Sequence, residues 1–148
     1  MATVDVSTNI LIARPRHEVA AFVSDPDNAT AWYENIDSVR WKSTKPAAQG
    51  SRMEFVARFL GRTLTYTYEV VDLVPDERFI MQTAEGPFPM ETTYTWADTP
   101  GGGTQMTLRN RGNPAGFVRA AAPLMAMAMR RATTKDLLKL KQILETPS

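Results

Sequence analysis

The chain has 148 residues, 43% of them hydrophobic, and no cysteine, which excludes disulfides, thiol nucleophiles and cysteine-ligated metals and fits a cytoplasmic location. A chain of this length most often forms one domain, so residues 1–148 are predicted to be a single domain that buries about two-thirds of its unfolded surface. The net charge of +1 arises from 17 basic and 16 acidic residues that are interspersed, and this pattern argues against nucleic-acid binding.

The first third of the chain predicts one strand and two short helices. Thr3–Ile12 alternates between apolar and polar residues, which is typical of a strand and not of a signal peptide. In "ARPRHEVAAFVSD" the period changes, because Val19, Phe22 and Val23 have helical spacing. The next stretch, "PDNATAWYENI", predicts a second short helix with Trp32 as its apolar anchor.

Six further strands follow, because the apolar residues recur at every second position between turn-forming segments. They are predicted at Asp37–Ser43, Ser51–Phe59, Arg62–Leu73, Arg78–Ala84, Met90–Asp98 and Thr104–Arg111. Strands that follow one another with such short links form an antiparallel meander.

A long helix is predicted at the end of the chain, within Gly116–Glu145. Leu137, Leu140 and Leu144 form an apolar stripe in its second half. Its first half is rich in alanine and methionine, and Pro123 predicts either a kink or the start of a separate helix. Because a proline and an arginine interrupt the apolar stretch, membrane insertion is not expected.

These elements predict an α+β fold of the helix-grip type. A seven-stranded curved antiparallel sheet would wrap around the long C-terminal helix, with two short helices between strands 1 and 2. The helix and the sheet would bury their apolar faces against each other. The inward strand faces are assigned by apolarity alone, so a shift of one residue would invert them.

The chain resembles the START-like, or birch-pollen-allergen-like (SRPBCC), superfamily and its bacterial polyketide cyclase/dehydrase-like branch. The stretches that carry the resemblance keep the order of the family and are "ILIARPRHEVAAFVSDPDNATAWYENI", "GSRMEFVARFLG", "EVVDLVPDERFIMQTAEGPFPMETTYTW", "GGGTQMTLRN" and "DLLKLKQILE". The resemblance implies a deep apolar cavity between the sheet and the last helix. It implies no single reaction, because the family holds lipid carriers, hormone receptors, cyclases, oxygenase domains and chaperone activators.

The candidate ligand-binding residues are aromatic, methionine or other residues on the predicted inward faces. They are Trp32, Phe55, Phe59, Tyr66, Tyr68, Met90, Tyr94, Trp96, Met106, Leu108, Asn110, Ala122, Met125 and Met129. Methionine adapts to irregular partners, and tyrosine adds a hydroxyl to an apolar ring. The alternative is that these side chains fill a closed core and that Pro123 only starts the helix.

No catalytic residue is assigned from the sequence. His17 is the only histidine and is expected at the surface, so a metal site and a histidine-based triad have little support. The carboxylates form no recognisable pair, and Arg109 and Arg111 are expected to point outward. No fingerprint of a phosphate-binding or dinucleotide-binding loop is present, so no cofactor is expected.

The leading hypothesis is therefore the binding of a small apolar or aromatic molecule, such as a lipid or a polyketide-like compound, by a monomer or homodimer. The alternative is a cyclase, aromatase or dehydratase that uses the same cavity. A third hypothesis is a protein-interaction module such as a chaperone activator, which exposure of Phe88 or Trp41 would favour.

Overall fold

The computed structural model describes residues 4–59, 61–113 and 122–146. Seven strands within these residues form one antiparallel sheet. The strands are β1 (Val4–Ile12), β2 (Ile36–Trp41), β3 (Arg52–Phe59), β4 (Arg62–Val74), β5 (Arg78–Glu85), β6 (Met90–Asp98) and β7 (Thr104–Gly112). Each predicted strand is present, and each end lies within two residues of its predicted position.

The order of the strands across the sheet is β1-β7-β6-β5-β4-β3-β2. The first two strands therefore lie at opposite edges, and the chain between them must cross one face of the sheet. This crossing carries α1 (Arg16–Val23), a 3₁₀ turn (Pro26–Asn28) and α2 (Ala29–Trp32). Register shifts in β2 and β4 mark bulges, which bend the sheet around the elements on its inner face.

The second short helix is shorter than the sequence predicted. Helical residues end at Trp32, and the backbone of Tyr33 is extended, with φ −82° and ψ 115°. The cause is tertiary, because β2 begins at Ile36 and the chain must already be extended to pair with β3. At the other end, the Asp25 carboxylate accepts a hydrogen bond from the backbone N–H of Asp27 and caps the 3₁₀ turn.

The last helix, α3 (Ala122–Glu145), is continuous over its described length. Pro123 lies in its first turn, where the missing N–H removes no helical hydrogen bond. The part of the predicted helix at residues 116–121 lies outside the described residues. The helix packs mainly on β1, where the hydroxyls of Thr8 and Thr133 are 3.0 Å apart.

The predicted inward faces are confirmed, and their side chains form two buried clusters. The main cluster contains residues from the sheet, α1, α2 and α3, including Ile12, Val19, Trp32, Met53, Phe55, Phe79, Tyr94, Trp96, Met106, Leu108, Leu137 and Leu140. The second cluster contains Val4, Val6, Leu64, Tyr66, Phe88, Met90, Met125 and Met129. Burial of such a side chain contributes about 1.5–3 kcal/mol, so both clusters hold α3 on the sheet.

The outer face of the sheet carries ion pairs. Arg109 pairs with Asp5, and Arg111 pairs with Glu91, each with an N–O distance of 2.6 Å. The two arginines therefore point outward as predicted, and exposed pairs of this kind contribute about 0–1 kcal/mol. His17 is exposed, as predicted.

Candidate functional site

A cavity of about 130 Å³ lies between the inner face of the sheet and the crossing segment formed by α1, the 3₁₀ turn and α2. Six of the residues predicted from the sequence line it: Trp32, Phe55, Tyr66, Tyr68, Tyr94 and Asn110. Nine further described residues line it: Val23, Pro26, Ala29, Tyr33, Ile36, Ala57, Phe79, Met81 and Thr92. The lining is therefore mainly aromatic and aliphatic, with a few hydroxyl and amide groups.

The other described candidate residues lie outside this cavity, in or against the two clusters. They are Phe59, Met90, Trp96, Met106, Leu108, Met125 and Met129. The side chain of Ala122 lies outside the part of the chain that is described. None of the described residues of α3 lines the cavity. Most contacts of α3 with the sheet are with β1, whereas α1 contacts β6 and α2 contacts β2.

Three of the lining residues that were not predicted lie at positions that the period-two pattern of the sequence marks as inward. Phe79 and Met81 alternate on β5, and Thr92 lies in phase with Tyr94 on β6. The period-two pattern that identified the other strands therefore also marks these three residues. No such signal exists for Tyr33, whose place depends on the early end of α2.

The most compact polar feature of the cavity is a pair of phenol groups. The hydroxyls of Tyr33 and Tyr94 are 2.6 Å apart, so one donates a hydrogen bond to the other. Burial raises the pKa of both phenols well above the ordinary value of 10.0. Both side chains therefore stay neutral at physiological pH, and each hydroxyl keeps its proton.

A second polar group lies on the sheet side of the cavity. The hydroxyl of Thr92 donates a 2.7 Å hydrogen bond to the Oδ1 of Asn110, and both residues are buried. The Tyr68 phenol also lines the cavity. Burial raises the pKa of Tyr68 to about 12, and the neighbouring Thr92 hydroxyl opposes this rise. The bond between Thr92 and Asn110 satisfies two polar atoms that the apolar surroundings would otherwise leave unpaired at a cost in free energy.

Aromatic rings enclose the phenol pair. The ring of Tyr33 lies 4.0 Å from that of Trp32, measured between centroids. The Tyr94 ring stacks on Phe79 at 5.8 Å and on Trp96 at 6.4 Å. These contacts leave both hydroxyls in a largely apolar environment, where a hydrogen bond is stronger than in water.

Trp32, Tyr33 and Ile36 also line an open groove between α2 and α3, and so form a wall between groove and cavity. The groove contains Asp136, which is buried and whose Oδ1 accepts a 3.0 Å hydrogen bond from the backbone N–H of Glu34. Burial raises the pKa of Asp136 to about 6. Asp136 thus ties α3 to the chain immediately after Tyr33.

No charged side chain is found among the described residues that line the cavity. Over the same described ranges, no group of three or more His, Asp or Glu side chains could hold a metal ion. The arrangement can therefore desolvate an uncharged molecule and offer it a few directed hydrogen bonds.

The sheet, its long C-terminal helix and the two short helices define a helix-grip protein. The chain belongs to the polyketide cyclase/dehydrase and lipid transport family, whose model matches residues 3–145. This confirms the resemblance to the START/SRPBCC superfamily that the sequence stretches indicated.

Solved structures share this fold at low sequence identity. The aromatase/cyclase ZhuI from Streptomyces sp. R1128 is 17% identical with a TM-score of 0.79, and the match covers 97% of this chain and 94% of that one. A protein from Thermus thermophilus is 16% identical with a TM-score of 0.79, covering 96% and 99% of the two chains. A START superfamily protein from Mycobacterium smegmatis is 14% identical with a TM-score of 0.74, covering 95% and 94%. At these identities the likeness shows the fold alone.

No curated protein matches this chain in sequence. Within the described residues, no helix combines the length and the apolar character needed to cross a membrane.

Proposed function

We propose that this protein binds a small, uncharged apolar or aromatic molecule in the cavity under the short helices. The observation that carries the proposal is the composition of the lining, which is aromatic and aliphatic without a charged side chain among its described residues. Such a surface favours a ligand through removal of apolar area from water, at roughly 25 cal/mol per Å².

The size of the cavity limits the ligand. An apolar cavity of about 150 Å³ in another protein holds benzene, whereas pockets for drug-sized ligands measure about 300–1,000 Å³. A cavity of about 130 Å³ therefore suits a molecule of about one ring. A lipid or a multi-ring polyketide would require the wall of Trp32, Tyr33 and Ile36, or another part of the lining, to move outward.

The proposal is tested with toluene and protein labelled with ¹³C at its methionine methyl groups. Met81 lines the cavity, whereas Met127 is 58% exposed on α3 and serves as the internal control. We expect toluene to shift the Met81 methyl resonance in a saturable manner and to leave that of Met127 unchanged. An unchanged Met81 signal, or equal shifts at both methyls, would overturn the proposal. Native mass spectrometry after incubation with a metabolite extract then identifies the natural ligand.

A second candidate is an enzyme of the cyclase, aromatase or dehydratase type, and Asp136 is the observation that favours it. This buried carboxyl is close enough to contribute to the raised pKa values of Tyr33 and Tyr94. Perturbed carboxyl and phenol groups in contact with a cavity are typical of acid–base sites. Asp136 itself, however, lines the groove and not the cavity, so simple binding is the better-supported function.

The two residues whose exposure would favour an interaction module are not exposed. Phe88 is buried in the second cluster, and Trp41 is partly buried with its Nε1 donating a 2.7 Å hydrogen bond to Asp27. Neither side chain is the exposed apolar residue that this hypothesis needs.

A further inference from the structure

We propose that the paired hydroxyls of Tyr33 and Tyr94 make the cavity selective for a neutral single-ring compound that carries a carbonyl oxygen. This inference rests on the proposed function, because it specifies the ligand of the same cavity. It specifies a ligand with a carbonyl group, which the size and the apolar lining of the cavity alone do not select.

The pair of Tyr33 and Tyr94 carries two hydroxyl protons and one hydrogen bond between them. The contact between Tyr33 and Tyr94 uses one of the two protons that the pair carries. The Thr92 proton is donated to Asn110, and no further hydrogen bond joins either hydroxyl of the pair to a described residue. One phenolic proton of the pair is thus left without an acceptor among the described residues. A hydroxyl in apolar surroundings costs free energy when its proton has no acceptor, and a carbonyl oxygen of a ligand can accept that hydrogen bond.

The remaining phenolic O–H is a strong hydrogen-bond donor. A phenol that accepts a short hydrogen bond becomes polarised, and its own O–H donates more strongly. Burial raises the pKa of Tyr33 and Tyr94, so neither group ionises to become an acceptor. The pair is therefore a fixed neutral donor that discriminates between a carbonyl and a hydrocarbon of the same shape.

The described lining of the cavity offers no counter-ion to a charged ligand. A carboxylate would enter the cavity without a cation to pair with, since no described lining residue is charged. Burying an unpaired ion costs far more than one hydrogen bond returns. The ligand is therefore uncharged, and a ketone meets the donor requirement without introducing a charge.

The experiment compares cyclohexanone with methylenecyclohexane, which has the same shape but a CH₂ group in place of the oxygen. Dissociation constants are measured from the Met81 methyl resonance for the wild type and for Tyr33→Phe/Tyr94→Phe. Removing both partners of a buried hydrogen bond is nearly neutral for stability, so the double variant is expected to fold. A single variant would leave one donor in place and is not decisive.

The ketone preference of each protein is the dissociation constant of methylenecyclohexane divided by that of cyclohexanone. We expect this ratio to be about tenfold larger for the wild type than for the double variant, because one good hydrogen bond contributes about that factor. Thr65→Val is the control, because it removes a hydroxyl at an exposed position of β4 that does not line the cavity. Loss of the ketone preference in the double variant, with its retention in Thr65→Val, supports the proposal. Retention of the preference in the double variant, or an equal loss in Thr65→Val, would overturn it.

The two proposals fail in different ways. Equal binding of both probes by the wild type would overturn the selectivity and leave the binding function standing. Binding of neither probe would overturn both.

Discussion

At the scale of single residues, Asp136 is a charged residue type that is buried within the described part of the chain. It is 4% exposed, its Oδ1 accepts a hydrogen bond from the backbone N–H of Glu34, and the charges of Glu34 and Lys135 act on its carboxyl. Burial is the largest cause of its raised pKa of about 6, compared with an ordinary value of 3.8. Such a carboxyl binds a proton more tightly in the folded than in the unfolded protein.

This difference predicts a stability that depends on pH. Because the folded pKa is raised, the contribution of Asp136 to the free energy of unfolding is fully present below about pH 4 and is lost as the pH rises through about 6. In Asp136→Asn the amide oxygen can still accept the hydrogen bond from Glu34, but the titration is absent. Urea unfolding between pH 4 and 7 should therefore show wild-type stability falling relative to that of the variant.

Parallel pH profiles of the two proteins would contradict this prediction. Asp98→Asn is the control, because Asp98 is exposed and its removal should leave the fall between pH 4 and 6 in place.

At the scale of elements, the two halves of α3 differ in composition, but each half has side chains that are buried against the sheet. Leu137 and Leu140 are buried in the main cluster, while Met125 and Met129 are buried in the second. The methionines pack among residues of β1, β4 and β6 and do not line the cavity among the described residues. The methionine-rich half is therefore a structural contact of the helix with the sheet.

This packing predicts unequal effects of two methionine substitutions on the same helix. Met125 is fully buried, so Met125→Ala should lower the free energy of unfolding by about 2–5 kcal/mol. Met127 is 58% exposed, so Met127→Ala should change it by less than about 0.5 kcal/mol. Chemical denaturation measures both values. Toluene affinity should be unchanged in both, and a loss of affinity in Met125→Ala would place this residue at the ligand.

At the scale of the whole molecule, the cavity results from how the sheet is covered. The long helix contacts mainly β1 at one edge of the sheet, whereas in the crossing segment α1 contacts β6 and α2 contacts β2 at the opposite edge. The crossing segment ends its last helix after one turn and continues as an extended chain. The space beneath it is therefore only partly filled by Trp32 and Tyr33, and the rest is the cavity.

A larger side chain in this space should prevent ligand binding without preventing folding. Ala57 is partly buried and lines the cavity, so Ala57→Leu should abolish the toluene-induced shift of Met81 while stability changes by less than about 1.5 kcal/mol. Ala97→Leu, at an exposed position on β6, should bind toluene like the wild type. Normal toluene binding by Ala57→Leu would place the site elsewhere.

The sequence by itself determined the seven strands, their inward faces and the apolar stripe of the last helix, because these depend on local periodicity and turn residues. Met53, Phe55, Tyr94 and Met106 are buried where the period of two predicted them. The tertiary structure alone decided which inward residues line the cavity and which pack against one another. Tyr33 reaches Tyr94 only because α2 stops after one turn, and Met125 packs in the second cluster with residues of β1, β4 and β6 and does not line the cavity. Periodicity determines which face of an element is buried, whereas the position of a cavity depends on how elements distant in sequence cover the sheet.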